Sequence, residues 1–132
     1  MPQGIRILFE GNNLQRLLLA LVEVIKLSAI SLVIGLLLGV FLGILRTGNN
    51  SLVKGLLKIY LEIFRIVPLL VLLFVFYYIL PEATGGSISK EVVSLLVFVL
   101  WISAEMSDLV RSGIQSVSLS QIESGRSLGF SR

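Results

Sequence analysis

The chain contains no cysteine and no histidine. Without thiols it has no disulfide, no thiolate nucleophile and no cysteine-held metal, and without imidazole it lacks the commonest general base and zinc ligand. Only carboxylates remain as strong acid–base candidates. Charge is scarce as well: Asp, Glu, Lys and Arg together make up 14% of the residues, against about a quarter in an ordinary soluble domain. Hydrophobic residues make up 55% and the mean hydropathy is +0.97, so 132 residues of this kind belong in a bilayer and a water-soluble single core is excluded. The net charge of +3 comes from basic residues scattered along the chain, which leaves nucleic-acid binding without a footprint. No phosphate-binding loop, dinucleotide fingerprint, calcium-loop spacing or internal repeat is present. The sequence therefore predicts no cofactor, no metal and no catalytic residue, and the chain itself has no means of hydrolysing a nucleotide.

What is present is a set of apolar runs. Leu27 to Leu45 is nineteen uncharged residues, about 28 Å of helix against a hydrocarbon core of about 30 Å. Arg6, Glu10, Arg16, Glu23 and Lys26 precede it, unlike the start of a signal peptide. Ile66 to Pro81 is sixteen uncharged residues, short for a span unless the helix starts earlier. Lys54, Lys58, Glu62 and Arg65 recur at helical spacing, opposite Leu52, Leu56, Ile59 and Ile63, which predicts an amphipathic lead-in with Lys58–Glu62 and Glu62–Arg65 pairs. Val92 to Ala104 is thirteen residues; a helix from Ile88 to Ser107 puts Glu105 and Asp108 at its far boundary, where carboxylates need water or a partner. Three spans, about 20–46, 56–80 and 88–107, with a segment 108–132 after them, give an all-α, multi-spanning membrane protein. The stretch from Pro81 to Ser87 reads as a loop.

Orientation follows from the basic residues. Arg46, Lys54, Lys58 and Arg65 lie in one connection and only Lys90 in the next, so the first is expected to be cytoplasmic, with Arg111, Arg126 and Arg132 on the same side and the N-terminus outside. Arg6, Arg16 and Lys26 pull the other way. Ser31, Gly35, Gly39, Gly43 and Thr47 recur every fourth residue, a stripe that lets two helix backbones approach closely. Its partner is either a helix of the same chain or a second copy.

Two stretches carry a resemblance. Tyr60-Leu61-Glu62-Ile63-Phe64-Arg65-Ile66-Val67-Pro68-Leu69-Leu70-Val71, with Phe74, Tyr77, Tyr78, Leu80 and Pro81 after it, resembles the Tyr-x-Glu-x-Phe-Arg-Gly-x-Pro-Leu-Leu-Val segment of the permease subunits of bacterial ABC importers for polar amino acids. Asp108-Leu109-Val110-Arg111, then Gln121-Ile122-Glu123-Ser124-Gly125-Arg126-Ser127-Leu128-Gly129, is similar to that family's Glu-x-x-Arg segment and to the Glu-Ala-Ala-x-x-x-Gly motif that contacts the ATPase. The resemblance covers roughly Gly11 to Arg132. It implies a multi-pass subunit of the bacterial inner membrane that works by alternating access. Its implied partners are cytoplasmic ABC ATPase subunits, a second permease copy or paralogue, an external substrate-binding protein and membrane lipid. Gln121, Glu123, Ser124, Gly125 and Gly129 would couple to the ATPase, with Glu123 near the start of a docking helix, and Glu105, Asp108 and Arg111 are the candidates for the translocation path; since an isolated carboxylate at that depth is costly and Arg111 is one turn on, an Asp108–Arg111 pair is expected.

Departures accompany the resemblance. Ile66 stands for the usual Gly, Leu72 for Gln, Glu105 for an aromatic, Asp108 for Glu and Ser120 for Gly, while Ser124 and Gly125 replace two alanines, which lowers helix propensity by up to about 1 kcal/mol at the glycine. Family members continue through further spans after the Gly129 position, so a truncated permease or a fragment is expected. The alternative from another class is a small homo-oligomeric channel in which the glycine face joins copies and Glu105 and Asp108 form a cation-selecting ring. An intramembrane enzyme using the same two carboxylates is a third reading.

Overall fold

The computed structural model describes residues 7, 9 and 11–130; Arg6, Glu10 and Arg132 of the charge count lie outside the described residues. Five helices follow one another within residues 13–127: α1 Asn13–Thr47, α2 Ser51–Ile66, α3 Leu69–Ala83, α4 Lys90–Gln115 and α5 Leu119–Ser127. No strand occurs among the described residues. By length and composition α1 and α4 each suffice to cross a membrane, and α2 with α3 form a bent pair that could make a third crossing.

Helix α1 has 35 residues, about 52 Å, longer than the hydrocarbon core, so it tilts or projects. It closes where the Gly48 N–H donates to the Leu45 carbonyl at 3.2 Å and the Thr47 hydroxyl donates to the Ile44 carbonyl at 2.7 Å. Two residues on, the Asn50 side chain accepts from the Leu52 and Val53 N–H groups at 3.0 and 3.3 Å, satisfying two of the first donors of α2.

The expected second span, 56–80, is two helices whose axes meet at 102°. Pro68 is the cause. It has no N–H, and its ring forces Val67 out of the helical region to φ −76°, ψ 125°. The Pro68 carbonyl then accepts from Val71 and Leu72 at 2.9 and 3.1 Å, which starts α3. At 15 residues, about 22 Å, α3 alone is shorter than the hydrocarbon core. It runs through Pro81 to Ala83, three residues into the stretch expected to be loop, and turns at Gly85 and Gly86, both at positive φ. Helix α4 starts under the Ser89 cap, as its side chain accepts from Val92 N–H at 3.4 Å. It continues two turns past the expected end at Ser107, so Glu105 and Asp108 stand within a helix.

The packing of α1 on α4 explains the stripe. A Cβ added at Gly35 would lie 2.7 Å from the Ile102 Cβ, at Gly39 2.5 Å from the Met106 Cβ, and at Gly43 2.6 Å from the Val110 Cβ. The partner is thus a helix of the same chain. Each step of four along α1 matches a step of four along α4 in the same sense, so the two helices run parallel. Thr47 and Gln115 therefore lie at the same end, and α2–α3 must bring the chain back. A second core forms where α2 and α3 meet α4, around Leu61, Phe64, Leu72, Val97 and Ala104. Most of the large apolar side chains of α1 away from this face are exposed, as a lipid-facing helix requires.

Candidate functional site

Ser31, Gly35, Gly39 and Gly43 are buried, and so is Arg46, three residues further along the same face of α1. A guanidinium on a face welded to another helix needs an acceptor there. Helix α4 supplies it: Arg46 Nη1 donates to Asp108 Oδ1 at 3.0 Å. The other carboxylate oxygen, Oδ2, accepts from Arg65 Nη1 at 2.9 Å, and Arg65 Nε lies 3.5 Å from Glu105 Oε1. One turn of α4 thereby joins the last turns of α1 and α2.

The expected Asp108–Arg111 pair does not form. Both oxygens of the short Asp108 side chain are occupied by arginines from neighbouring helices, and the Arg111 Nε is buried with no protein partner. The expected Glu62–Arg65 pair is also absent, because Arg65 turns to α4; Glu62 keeps the other expected partner, with Lys58 Nζ 3.8 Å from its Oε1.

Two further motif residues of the first stretch, Tyr60 and Phe64, fasten α2 to α4. The Tyr60 hydroxyl donates to the Leu100 carbonyl at 2.6 Å and lies 2.6 Å from Ser103 Oγ, and its ring is 4.9 Å from that of the buried Phe64. Pro68 makes the break that turns α3 away. Behind these contacts lies a cavity of about 700 Å³, lined by Arg46, Lys54, Lys58, Leu61, Glu62, Arg65, Ile66, Glu105 and Arg111. Two of the three expected path residues, Glu105 and Arg111, thus border it, and Asp108 sits between the arginines at its edge.

The segment after α4 folds as a helix in spite of Ser124 and Gly125. Serines hold it: the Ser118 side chain caps Gln121 N–H at 3.4 Å, and Ser124 Oγ donates back to the Ser120 carbonyl at 2.8 Å. Helix α5 has no buried residue, and Gln121, Glu123 and Ser124 are exposed. Glu123 is its fifth residue, with no acidic residue in the first turn, which corrects its expected place at the helix start. Gly129 sits at φ +87°, a left-handed conformation that suits glycine. Leu128 and Phe130 are exposed on either side of it.

Arg46 is the buried member of this cluster that the candidate site residues leave out. Its signal was present: it continues the Gly35-Gly39-Gly43 face, so a stripe that predicts contact with another helix also predicts a buried cation. The pore alternative loses its basis at the same place. The glycine face is taken by α4 of the same chain, and Asp108 is neutralised by two arginines.

Comparison with known proteins places these features. Residues 35–132 match the family of binding-protein-dependent transport system inner membrane components. The chain is 36% identical over 129 residues to the nopaline transport system permease protein NocM of Agrobacterium fabrum, covering 91% of this chain and 54% of that protein. It is 31% identical over 125 residues to the glutamate/aspartate import permease protein GltK of Escherichia coli, covering 89% and 56%. A crystal structure of an amino acid ABC transporter with histidines superposes with a TM-score of 0.70 at 30% identity, over 81% of this chain and 50% of that one. The chain spans about half the length of these relatives.

Proposed function

Because this chain belongs to the family of binding-protein-dependent transport system inner membrane components, a family of multi-pass transport subunits, we propose that it acts in the permease subunit of an ATP-driven bacterial amino-acid importer. The named relatives are permease proteins of nopaline transport and of glutamate/aspartate import, which supports amino acids and their derivatives as the substrate class. The observation that carries the mechanism is that the exposed α5 hangs directly from α4, and α4 is locked to α1 from Gly35 to Gly43. A cytoplasmic ATPase gripping α5 would move α4 and α1 as one rigid body. The Pro68 break lets α2 and α3 change angle against them, and the Arg46–Asp108–Arg65 cluster defines one setting of that angle. Alternating access follows if the cluster and the cavity beside it open and close with each ATPase cycle. A second permease copy or paralogue and an external binding protein complete the assembly in this reading.

The coupling segment is tested by association. Gly129→Val forces a β-branched residue into φ +87°, a strain of about 1–3 kcal/mol, and breaks the turn that follows α5. Co-purification of the cognate ATPase with this chain should fall severalfold for Gly129→Val and for Glu123→Lys, with membrane insertion unchanged. Undiminished co-purification of both variants would make α5 a passive tail.

We also propose that the N-terminus and the α3–α4 connection, Thr84 to Ser89, face outward, while the α1–α2 connection and α5 are cytoplasmic. The four-to-one count of basic residues supports this orientation, and the parallel course of α1 and α4 supports a common side for the connection and α5. In a chain without cysteines, Ser87→Cys should react with an impermeant maleimide added to intact spheroplasts, and Ser51→Cys only after lysis. Reaction of Ser51→Cys in intact spheroplasts would reverse the orientation.

A further inference from the structure

Arg65 is held by the carboxylates of another helix. Its Nη1 donates to Asp108 Oδ2 at 2.9 Å and its Nε lies 3.5 Å from Glu105 Oε1, so both contacts stretch from α2 to α4. Arg65 stands in the last turn of α2, two residues before Val67 leaves the helical region. A change of angle between α2 and α4 has to lengthen or break both contacts. A guanidinium parted from its carboxylates beside a bilayer is costly unless an acceptor moves with it.

One acceptor does move with it. Glu62 lies three residues earlier on the same helix, within reach of Arg65 and in the favourable order, acid before base. It borders the same cavity as Arg65 and Glu105. Its contact with Lys58, 3.8 Å from Nζ to Oε1, is long for a hydrogen bond between charged groups, so Glu62 is released from it at little cost. Arg46 differs from Arg65 in this respect. It comes from α1, and its 3.0 Å bond to Asp108 Oδ1 stays within the helix pair that Gly35, Gly39 and Gly43 join.

We propose that Glu62 is the alternate acceptor of Arg65 and thereby a positioning residue for the movement of α2. In the engaged setting Arg65 bridges Asp108 and Glu105, and Glu62 rests with Lys58. In the released setting Arg65 turns back one helical step to Glu62, while Arg46 keeps Asp108. Arg65 has a carboxylate in both settings, which brings their energies close enough for a partner that favours one of them to shift the balance. Because Glu62 travels on α2, the exchange needs no group from outside this chain. The inference rests on the alternating-access reading and names the contact that changes hands in it.

The test is the distance distribution between nitroxides on Leu37→Cys of α1 and Leu52→Cys of α2, with the chain labelled before it joins its cognate ATPase in nanodiscs. The chain has no cysteine of its own, and neither position belongs to the cluster. Two distances are expected, with ATP shifting their ratio. Glu62→Gln should lower the released fraction relative to the engaged one about two- to fivefold, the worth of one ion pair. Glu62→Asp should restore the ratio, and Glu105→Gln, which weakens the engaged setting, should move it the other way. A Glu62 that only supported α2 would affect both settings alike and leave the ratio unmoved. A single distance with and without ATP would overturn the movement and the exchange with it. Two distances whose ratio ignores Glu62→Gln would overturn the exchange alone.

Discussion

Gly39→Val is expected to part α1 from α4. The first atom of any side chain at this position would lie 2.5 Å from the Met106 Cβ and 3.0 Å from the Ser103 carbonyl oxygen. Neither neighbour is the free end of a flexible chain, so relief requires the backbones to separate, and the contacts at Gly35 and Gly43 open with them. Overfilling a packed site costs about 1–3 kcal/mol, occasionally more, and here close backbone contact is the main adhesion between two helices in a solvent of acyl chains. A loss of about 3 kcal/mol is expected, read as a shift in the denaturant midpoint followed by Trp101 fluorescence in micelles. Gly125→Ala is the control: nothing lies within 4 Å of a Cβ there, and helix propensity rises by about 1 kcal/mol. An unmoved midpoint for Gly39→Val would mean that α1 and α4 are not in contact along this face.

Asp108→Ala should rank next. It removes the acceptor of Arg46, whose side chain is 9% exposed, and leaves that guanidinium with no carboxylate in reach. Deleting one partner of a buried pair costs about 3–5 kcal/mol; Asp108 is itself 33% exposed, so water screens part of the loss and about 2 kcal/mol is the expected effect. A double-mutant cycle separates the partners. Arg46→Ala combined with Asp108→Ala should show a coupling of about 1–2 kcal/mol, while Arg111→Ala and Asp108→Ala should add to within about 0.5 kcal/mol. A larger coupling to Arg111 than to Arg46 would refute the arrangement. Asp108→Glu, the residue usual in the resembling segment, keeps both arginines paired if α1 and α4 can part slightly, and should be the mildest change at this position.

These two positions mark what the sequence discloses and what it withholds. The helical class, the apolar runs and the four-residue glycine stripe are periodic features of a single segment, so they are legible in one dimension. The Asn50, Ser89 and Ser118 caps are local in the same way. The partner of Asp108 is not. Arg111 is the nearest cation along the chain, and the sequence favours it for that reason alone, whereas the actual partners lie 62 and 43 residues away and reach Asp108 only because the glycine stripe and the Tyr60 contacts bring three helices together. The break at Pro68 falls between these cases. Proline forbids a continuous helix there and the motif contains it openly, but whether a broken helix bends slightly or by 102° is decided by what α3 packs against. The residues that carry the family resemblance include those that fasten α2 to α4, Tyr60, Phe64 and Arg65, and the one that ends α2, Pro68.

The distance between Arg46 and Asp108 along the chain also sets a schedule. A ribosome adding about 5–20 residues per second needs about 3–12 s to make the 62 residues that separate them. During that interval α1 is already made, with a strong cation on its intended contact face and four small residues with nothing to touch. The cation favours the aqueous edge, so α1 is held at that depth with its glycine face open until α4 arrives. The carboxylate then completes the last turn of contact. The pair thus acts as a register mark read late in synthesis, one that rewards only the alignment in which Gly35, Gly39 and Gly43 also meet their places on α4.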